Sequence, residues 1–295
     1  MGQIKKLIIT IDIDNDFVKV PLEDSLSLQW DGLLTGLPVI LECINHLAKN
    51  LNHQIAISIF CRADWQIEEL MGSISWVFKA TQKILDQKKY DYLKIALEWH
   101  PHLYQKSADG KWTLAFDKEI QKQQLIDVFR KLKKENIDFV CSRIGECYFS
   151  QTILETLIEL QIPIDSSAFS GRNIGHTDWS DAPHGPYCPN ADNFTQSGNA
   201  PLIMVPFSMI PIKAPYEEKV ALRYLNLIFD PKYTQEGIQK YSQNTFVTIL
   251  HPYEILTLAH EHKHQLFGNI DSVEKNLKLL LKQSPIESIL LRNLK

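Results

Sequence analysis

Residues 7–16, LIITIDIDND, decide how this chain is read. Leu7, Ile8, Ile9, Thr10 and Ile11 are β-branched or apolar on consecutive positions, the pattern of a strand buried on both faces. The run ends in Asp12, Asp14 and Asp16 on alternate positions. In parallel α/β sheets and barrels, ligands gather at the carboxyl ends of the strands, so these acids are candidates for holding a cation or acting as a general base. An acidic turn that only keeps a loop hydrated explains the same residues equally well. Other parts of the chain must separate the two.

Working outward, strand and helix patterns alternate almost throughout. Strands are expected at 54–60, 92–99, 137–142, 163–165, 202–210 (broken by Pro206), 245–250 and 286–291. Amphipathic helices are expected at 38–51, 68–87, 118–136, 152–161, 217–229 and 271–282. About seven strand–helix units predict an α/β fold, a distorted (β/α)7-type barrel. No Gly/Ser or Pro-rich linker divides the chain, so residues 1–295 are expected to form one domain. Residues 169–200 are rich in Gly, Pro, Asn and Asp with little periodicity and read as a long loop, while their aromatic residues favour order.

Composition narrows the function. A net charge of −4 offers no basic patch for a phosphate backbone, so nucleic acid is not an expected partner. Cys43, Cys61, Cys141, Cys147 and Cys188 are odd in number, scattered and without a CxxC pair, which points to reduced thiols rather than a disulfide framework or zinc ribbon. The opening MGQIKK has no signal-peptide pattern, Lys6 stands where a myristoylation signal needs Ser or Thr, and no apolar run approaches a membrane span. The expectation is a cytoplasmic protein.

The strands share one property that favours the chemical reading of the acids: they finish in reactive groups. The carboxyl ends carry Asp12 and Asp14, Arg62 and Asp64, His100 and His102, Arg143, Asp165, and His251. On a barrel these would converge on one rim, where carboxylate oxygen and imidazole nitrogen suit zinc or another divalent first-row metal.

The ordered series resembles the polysaccharide deacetylase superfamily, a carbohydrate esterase family of distorted barrels that remove N-acetyl groups from sugars. Residues 10–14, TIDID, are similar to its first motif, which implies Asp12 as general base and Asp14 as metal ligand. Residues 98–102, EWHPH, stand where the family has its metal-binding histidines and imply His100 and His102 as the other ligands. Residues 143–145, RIG, with IDSS at 164–167 resemble the third motif, whose arginine, here Arg143, pairs with the base. Residues 176–189 are similar to the aromatic loop that walls the pocket and offer Trp179 and Tyr187 as substrate-binding residues, though either also reads as a loop anchor. Residues 249–252, ILHP, resemble the last motif, implying Ile249 in the acyl pocket and His251 as general acid.

Two departures stand out. The family's histidine motif is usually H-x-x-x-H; here Tyr104 occupies the fourth position after His100, and the second imidazole is His102. Residues i and i+2 of an extended segment can face the same side, which lets His100 and His102 still chelate, and a metal can also take a ligand from elsewhere in the chain. Glu98 replaces a residue that is often small and is expected to crowd the pocket. The resemblance implies a metal-dependent hydrolase, with zinc the expected ion, acting on an N-acylated sugar; the expected cytoplasmic location points to a nucleotide- or lipid-linked precursor of a surface polysaccharide as that substrate. Removal of a formyl group differs from this only in pocket volume. From another class, a carbohydrate-binding or assembly protein that lost its metal is the rival. His260, His262 and His264 read as a solvated polar segment rather than a second metal site.

Overall fold

The computed structural model describes residues 4–16, 28–256, 266–283 and 285–294. His260, His262 and His264, and residues 17–27 with Pro21, lie outside the described residues. Twelve strands follow in chain order: β1 (Lys5–Ile13), β2 (Ile55–Arg62), β3 (Leu93–His100), β4 (Tyr104–Lys106), β5 (Trp112–Leu114), β6 (Cys141–Ser142), β7 (Ile164–Asp165), β8 (Ile203–Met204), β9 (Met209–Ile212), β10 (Ala221–Tyr224), β11 (Thr245–Thr248) and β12 (Ile286–Ser288). Seven α-helices accompany them among the described residues: α1 (Leu37–Asn50), α2 (Trp65–Met71), α3 (Trp76–Gln87), α4 (Lys118–Lys134), α5 (Gln151–Glu159), α6 (Pro231–Gln239) and α7 (Ile270–Leu281).

The main sheet is parallel, in the order β11-β1-β2-β3-β6-β7-β8, with β12 also on β1, and it curls into a half-barrel. No ladder joins β8 to β11. The gap is bridged by residues 205–208: Val205 N donates to Asp165 O at 2.7 Å and Ser208 N to Val247 O at 3.1 Å. Pro206 lacks the N–H that a continuous strand would need there, which is why β8 and β9 are separate.

β1 explains its own sequence. Leu7, Ile9, Ile11 and Ile13 pack toward the helices, while Ile8 turns into the barrel with Phe60, Cys141, Ile164, Val205 and Val247. With both faces covered, the strand is apolar on every position until its carboxyl end. The barrel's opposite mouth is filled by the last described residues: Leu291 and Leu294 join that interior cluster, and Leu291 N donates to Ser58 Oγ at 3.0 Å.

Glu98 belongs to this lower interior. Its Oε2 accepts from Val140 N and Cys141 N, both at 2.9 Å, and its Oε1 lies 2.7 Å from Arg292 Nε. The expected crowding of the pocket does not occur, because Glu98 is bound two residues below the site. Another correction concerns 217–229, which are not helical: Ala221–Tyr224 pair antiparallel with Met209–Ile212. Apolar residues at 222, 225, 228 and 229 suit a helix, but partners across the ladder outweigh that local preference. The helix expected over 68–87 is two, parted at Gly72, whose φ of 72° caps α2. Residues 104–114 form a small hairpin.

Candidate functional site

Alternation along β1 sends Ile8, Thr10 and Asp12 to the inner face, and Asp14 continues that face just beyond the strand. β3 does the same for His100, and His102, two positions on, joins it there. The result is a tight triangle: His100 Nε2 lies 3.3 Å and His102 Nε2 2.9 Å from Asp14 Oδ1, and the two nitrogens are 3.3 Å apart. Ligands at about 2.0–2.2 Å from a tetrahedral zinc are themselves about 3.3 Å apart, so the donor set fits such a cation.

The imidazoles are oriented for this. His100 Nδ1 lies 2.6 Å from Arg143 O; a carbonyl only accepts, so Nδ1 carries the proton and Nε2 keeps its lone pair for a metal. His102 is buried, and its Nδ1 has no partner among the described residues. Its ring sits against Gly145, where a Cβ would come within 2.4 Å of it. Gly145→Ala is therefore expected to displace His102 or the Arg143 loop, destabilising the protein by about 1–3 kcal/mol and weakening metal binding; thermal unfolding and chelator competition on the same sample check both effects.

Charge is balanced inside the triangle. Burial opposes ionisation of Asp14, but the two imidazoles hold its carboxyl well below the usual range. Burial also opposes the His100 cation, yet Asp14 raises its pKa, whereas burial and the Arg62 guanidinium keep that of His102 low. Arg62 is itself fixed by Asp64 at 2.7 Å and by Asn15 Oδ1 at 2.6 Å, so this pair serves as scaffold beneath the site.

Asp12 is bound differently. Arg143 Nη1 donates to its Oδ1 and, at 2.9 Å, to Thr10 Oγ1, while Nε and Nη2 reach Ser166 O and Oγ at 3.0 and 2.9 Å. The guanidinium lies between the rings of Phe60 and Phe207, 4.1 and 4.6 Å from their centroids. Asp12 Oδ2 is left 4.0 Å from His100 Nε2, beside the triangle. His251 stands on another side, its Nε2 3.8 Å from Asp14 Oδ2 and its Nδ1 3.4 Å from Glu254 Oε1. Burial works against the His251 cation, but the carboxylates of Glu254, Asp12 and Asp14 together outweigh it and push the pKa up to about 9. Asn226 Nδ2 holds both Glu254 oxygens, at 3.0 and 2.9 Å.

These groups open into a pocket of about 380 Å³, lined also by Ile249, Glu146, His176, Phe169, Tyr224 and Tyr253. Of the residues expected from sequence, Asp12, Asp14, His100, His102, Arg143, Ile249 and His251 thus meet in one place. Trp179 and Tyr187 do not line it. Trp179 is wholly buried, with Nε1 donating to Cys147 O at 3.0 Å and its ring on Phe149 and Phe194. Tyr187 lines a separate pocket with Lys6 and Thr245, near the amino ends of β1 and β11, and its OH donates to Phe194 O at 2.8 Å. Both anchor the long loop, which gives Phe169 and His176 to the pocket wall beside Phe207, Tyr224 and Tyr253. Asp16 is likewise outside it, accepting from Asp31 N and Gly32 N at 2.7 and 2.8 Å. Asp165 lies behind the site, hydrogen-bonded to Ser142 and Ser167, its carboxyl pushed up to about 6 by burial.

No family model and no curated protein matches the sequence. Solved structures do match in shape. A candidate glycoside hydrolase/deacetylase from Parabacteroides distasonis superposes with a TM-score of 0.61 over 98% of this chain and 69% of its own, at 10% identity. A candidate polysaccharide deacetylase from Mycobacterium smegmatis gives 0.51 over 99% and 89%, at 12% identity. The chain has a divergent polysaccharide deacetylase-like fold. The likeness is one of fold alone, and that scaffold is not tied to one reaction: a 4-α-glucanotransferase from Thermococcus litoralis gives 0.50 over 99% of this chain and 40% of its own, at 11% identity. Among the described residues, no helix is long and apolar enough to cross a membrane.

Sequence reasoning set Glu254 beside His251 at a strand end without giving it a role, and passed over Asn226 and Glu146. Glu254 carries a signal, since a carboxylate three residues after His251 in a helical turn returns to it. Asn226 and Glu146 reach the site only through tertiary folding.

Proposed function

We propose that this deacetylase-like protein is a metal-dependent amide hydrolase that removes an N-acetyl or similarly small acyl group from an amino sugar of a surface polysaccharide or its precursor. The observation that carries the reading is the triangle of Asp14, His100 and His102 with Asp12 and His251 beside it. Those three residues would hold a divalent cation, zinc by the chemistry of the donors, and the cation would supply Lewis acidity for the acyl carbonyl and the attacking water. Asp12, with Oδ1 tied to Arg143, uses Oδ2 to take the proton from that water. Water oxygen bonds to the carbonyl carbon and the C–N bond breaks. His251, as the cation, gives its proton to the departing nitrogen, so that free amine and carboxylic acid leave. Arg143 and the Glu254–Asn226 pair orient the two proton carriers.

The test is release of acetate from N-acetylglucosamine oligomers by zinc-loaded protein, compared with protein stripped by chelator. Activity in the loaded form alone is the expected result; equal inactivity of both across such substrates would overturn the reading. The pH profile adds a sign. A general acid with a pKa near 9 is protonated below that value and lost above it, so activity should fall on the alkaline side. Glu254→Gln removes the charge that favours the cation, and the alkaline limb should move to lower pH under identical metal loading. An unmoved limb would separate Glu254 from His251.

A further inference from the structure

One carboxylate of the pocket has no task in the reaction above. Glu146 follows the Arg143 loop and is exposed at the pocket mouth. Its backbone is left-handed, with φ of 58°, and so is that of Cys147, with φ of 51°. Two consecutive non-glycine residues in that region carry strain, which persists where surroundings hold it and clusters at ligand sites. The side chain is held too: Tyr104 OH donates to Oε1 at 3.1 Å, and Oε2 accepts from no described residue. Tyr104 is a rigid support, buried between the His102 ring at 5.5 Å and the Arg62 guanidinium at 5.6 Å. The second oxygen, with no partner among the described residues, therefore belongs to a carboxylate held through Tyr104 at the pocket mouth.

The pocket that Glu146 lines is rich in aromatic side chains. Phe169 lies 6.0 Å from Tyr224 and 5.9 Å from Phe207, and all three line the pocket with Tyr253 and His176. The charge of Glu146 is felt at both Tyr253 and His176. Arg143, the guanidinium of the lining, is spent on Asp12, Thr10 and Ser166. A fixed carboxylate among aromatic faces recognises an ammonium group.

Resting on the deacetylase reading, we propose that Glu146 selects a glycan whose sugar next to the acylated one carries a free, protonated amine. The substrate class is thus a partly de-N-acylated amino-sugar chain, and the free amine made in one turnover helps to place the next acylated sugar. Phosphate- or carboxylate-bearing sugars are disfavoured by the same charge.

The experiment compares zinc-loaded wild type, Glu146→Gln and Glu146→Lys on di-N-acetylchitobiose, its mono-deacetylated form with one free amine, and N-acetylglucosamine 1-phosphate. Both acetate release and equilibrium binding are measured. A rim ion pair predicts a preference of about fivefold in kcat/KM for the amine-bearing dimer over the neutral one, weakening as salt is raised. Glu146→Gln should bring that ratio to about one, and Glu146→Lys should reverse it in favour of the phosphate. A wild-type ratio near one, or a ratio unchanged in Glu146→Gln, overturns the proposal. Absence of acetate from every substrate overturns the hydrolase reading instead, and the binding ratios then decide Glu146 by the same criteria.

Discussion

Asp12→Asn should lower kcat by about a thousandfold, within the range of 10²–10⁴ for loss of a general base. The change is nearly isosteric and keeps an oxygen for Arg143, so the geometry of the pair is retained while the ability to take a proton is lost. Asn leaves the buried Arg143 guanidinium without its counter-charge, and breaking such a pair costs on the order of 3–5 kcal/mol. Thermal unfolding must accordingly be measured beside activity, at a temperature where the variant is folded. Metal content should stay near that of wild type, because Asp12 Oδ2 stands 4.0 Å from His100 Nε2 and the triangle is built from Asp14, His100 and His102. A folded, metal-loaded Asp12→Asn protein within tenfold of wild-type kcat would remove Asp12 from the role of base.

The second large effect is on metal. Wild-type protein is expected to hold about one equivalent of zinc after reconstitution and removal of loose ion, and His102→Ala to hold little. Loss of a residue that merely orients a ligand already costs 10–100-fold in affinity, so loss of the ligand itself should cost about a hundredfold or more. The variant also opens a small space beside Gly145, which leaves room for water but no nitrogen donor. Elemental analysis and competition against a chelator read the effect without any turnover assay. Equal zinc in wild type and variant would break the link between this histidine spacing and metal. No zinc in either would favour a carbohydrate-binding or assembly protein built on the same barrel.

How far the site was readable depended on how local each relation is. Asp12 and Asp14, like His100 and His102, are two positions apart, and an extended strand end places such pairs on one face whatever surrounds them. The unusual histidine spacing was thus interpretable once β3 was recognised as a strand. Trp179 and Tyr187 illustrate the opposite case. In a segment without periodicity, the direction of an aromatic side chain is set by what it packs against, here Phe149 and Phe194 for Trp179. Glu98 was legible as a strand residue, but its partner Arg292 is distant in sequence, so its position below the site could not be inferred.

The sequence alone determined the alternation of strands and helices, the buried character of β1, and the delivery of acids, histidines and an arginine to the carboxyl ends of the strands. These follow from side-chain periodicity and the need to cover both faces of a parallel sheet. Only the tertiary structure decided that Asp14, His100 and His102 come within 3.3 Å of one another. It also decided that β10 is a strand, that Glu254 and Asn226 serve His251, and that Glu146 faces the pocket. Each of those depends on the curl of the sheet and on pairing between distant segments, where the free energy is shared among many partners and no short stretch of sequence carries it.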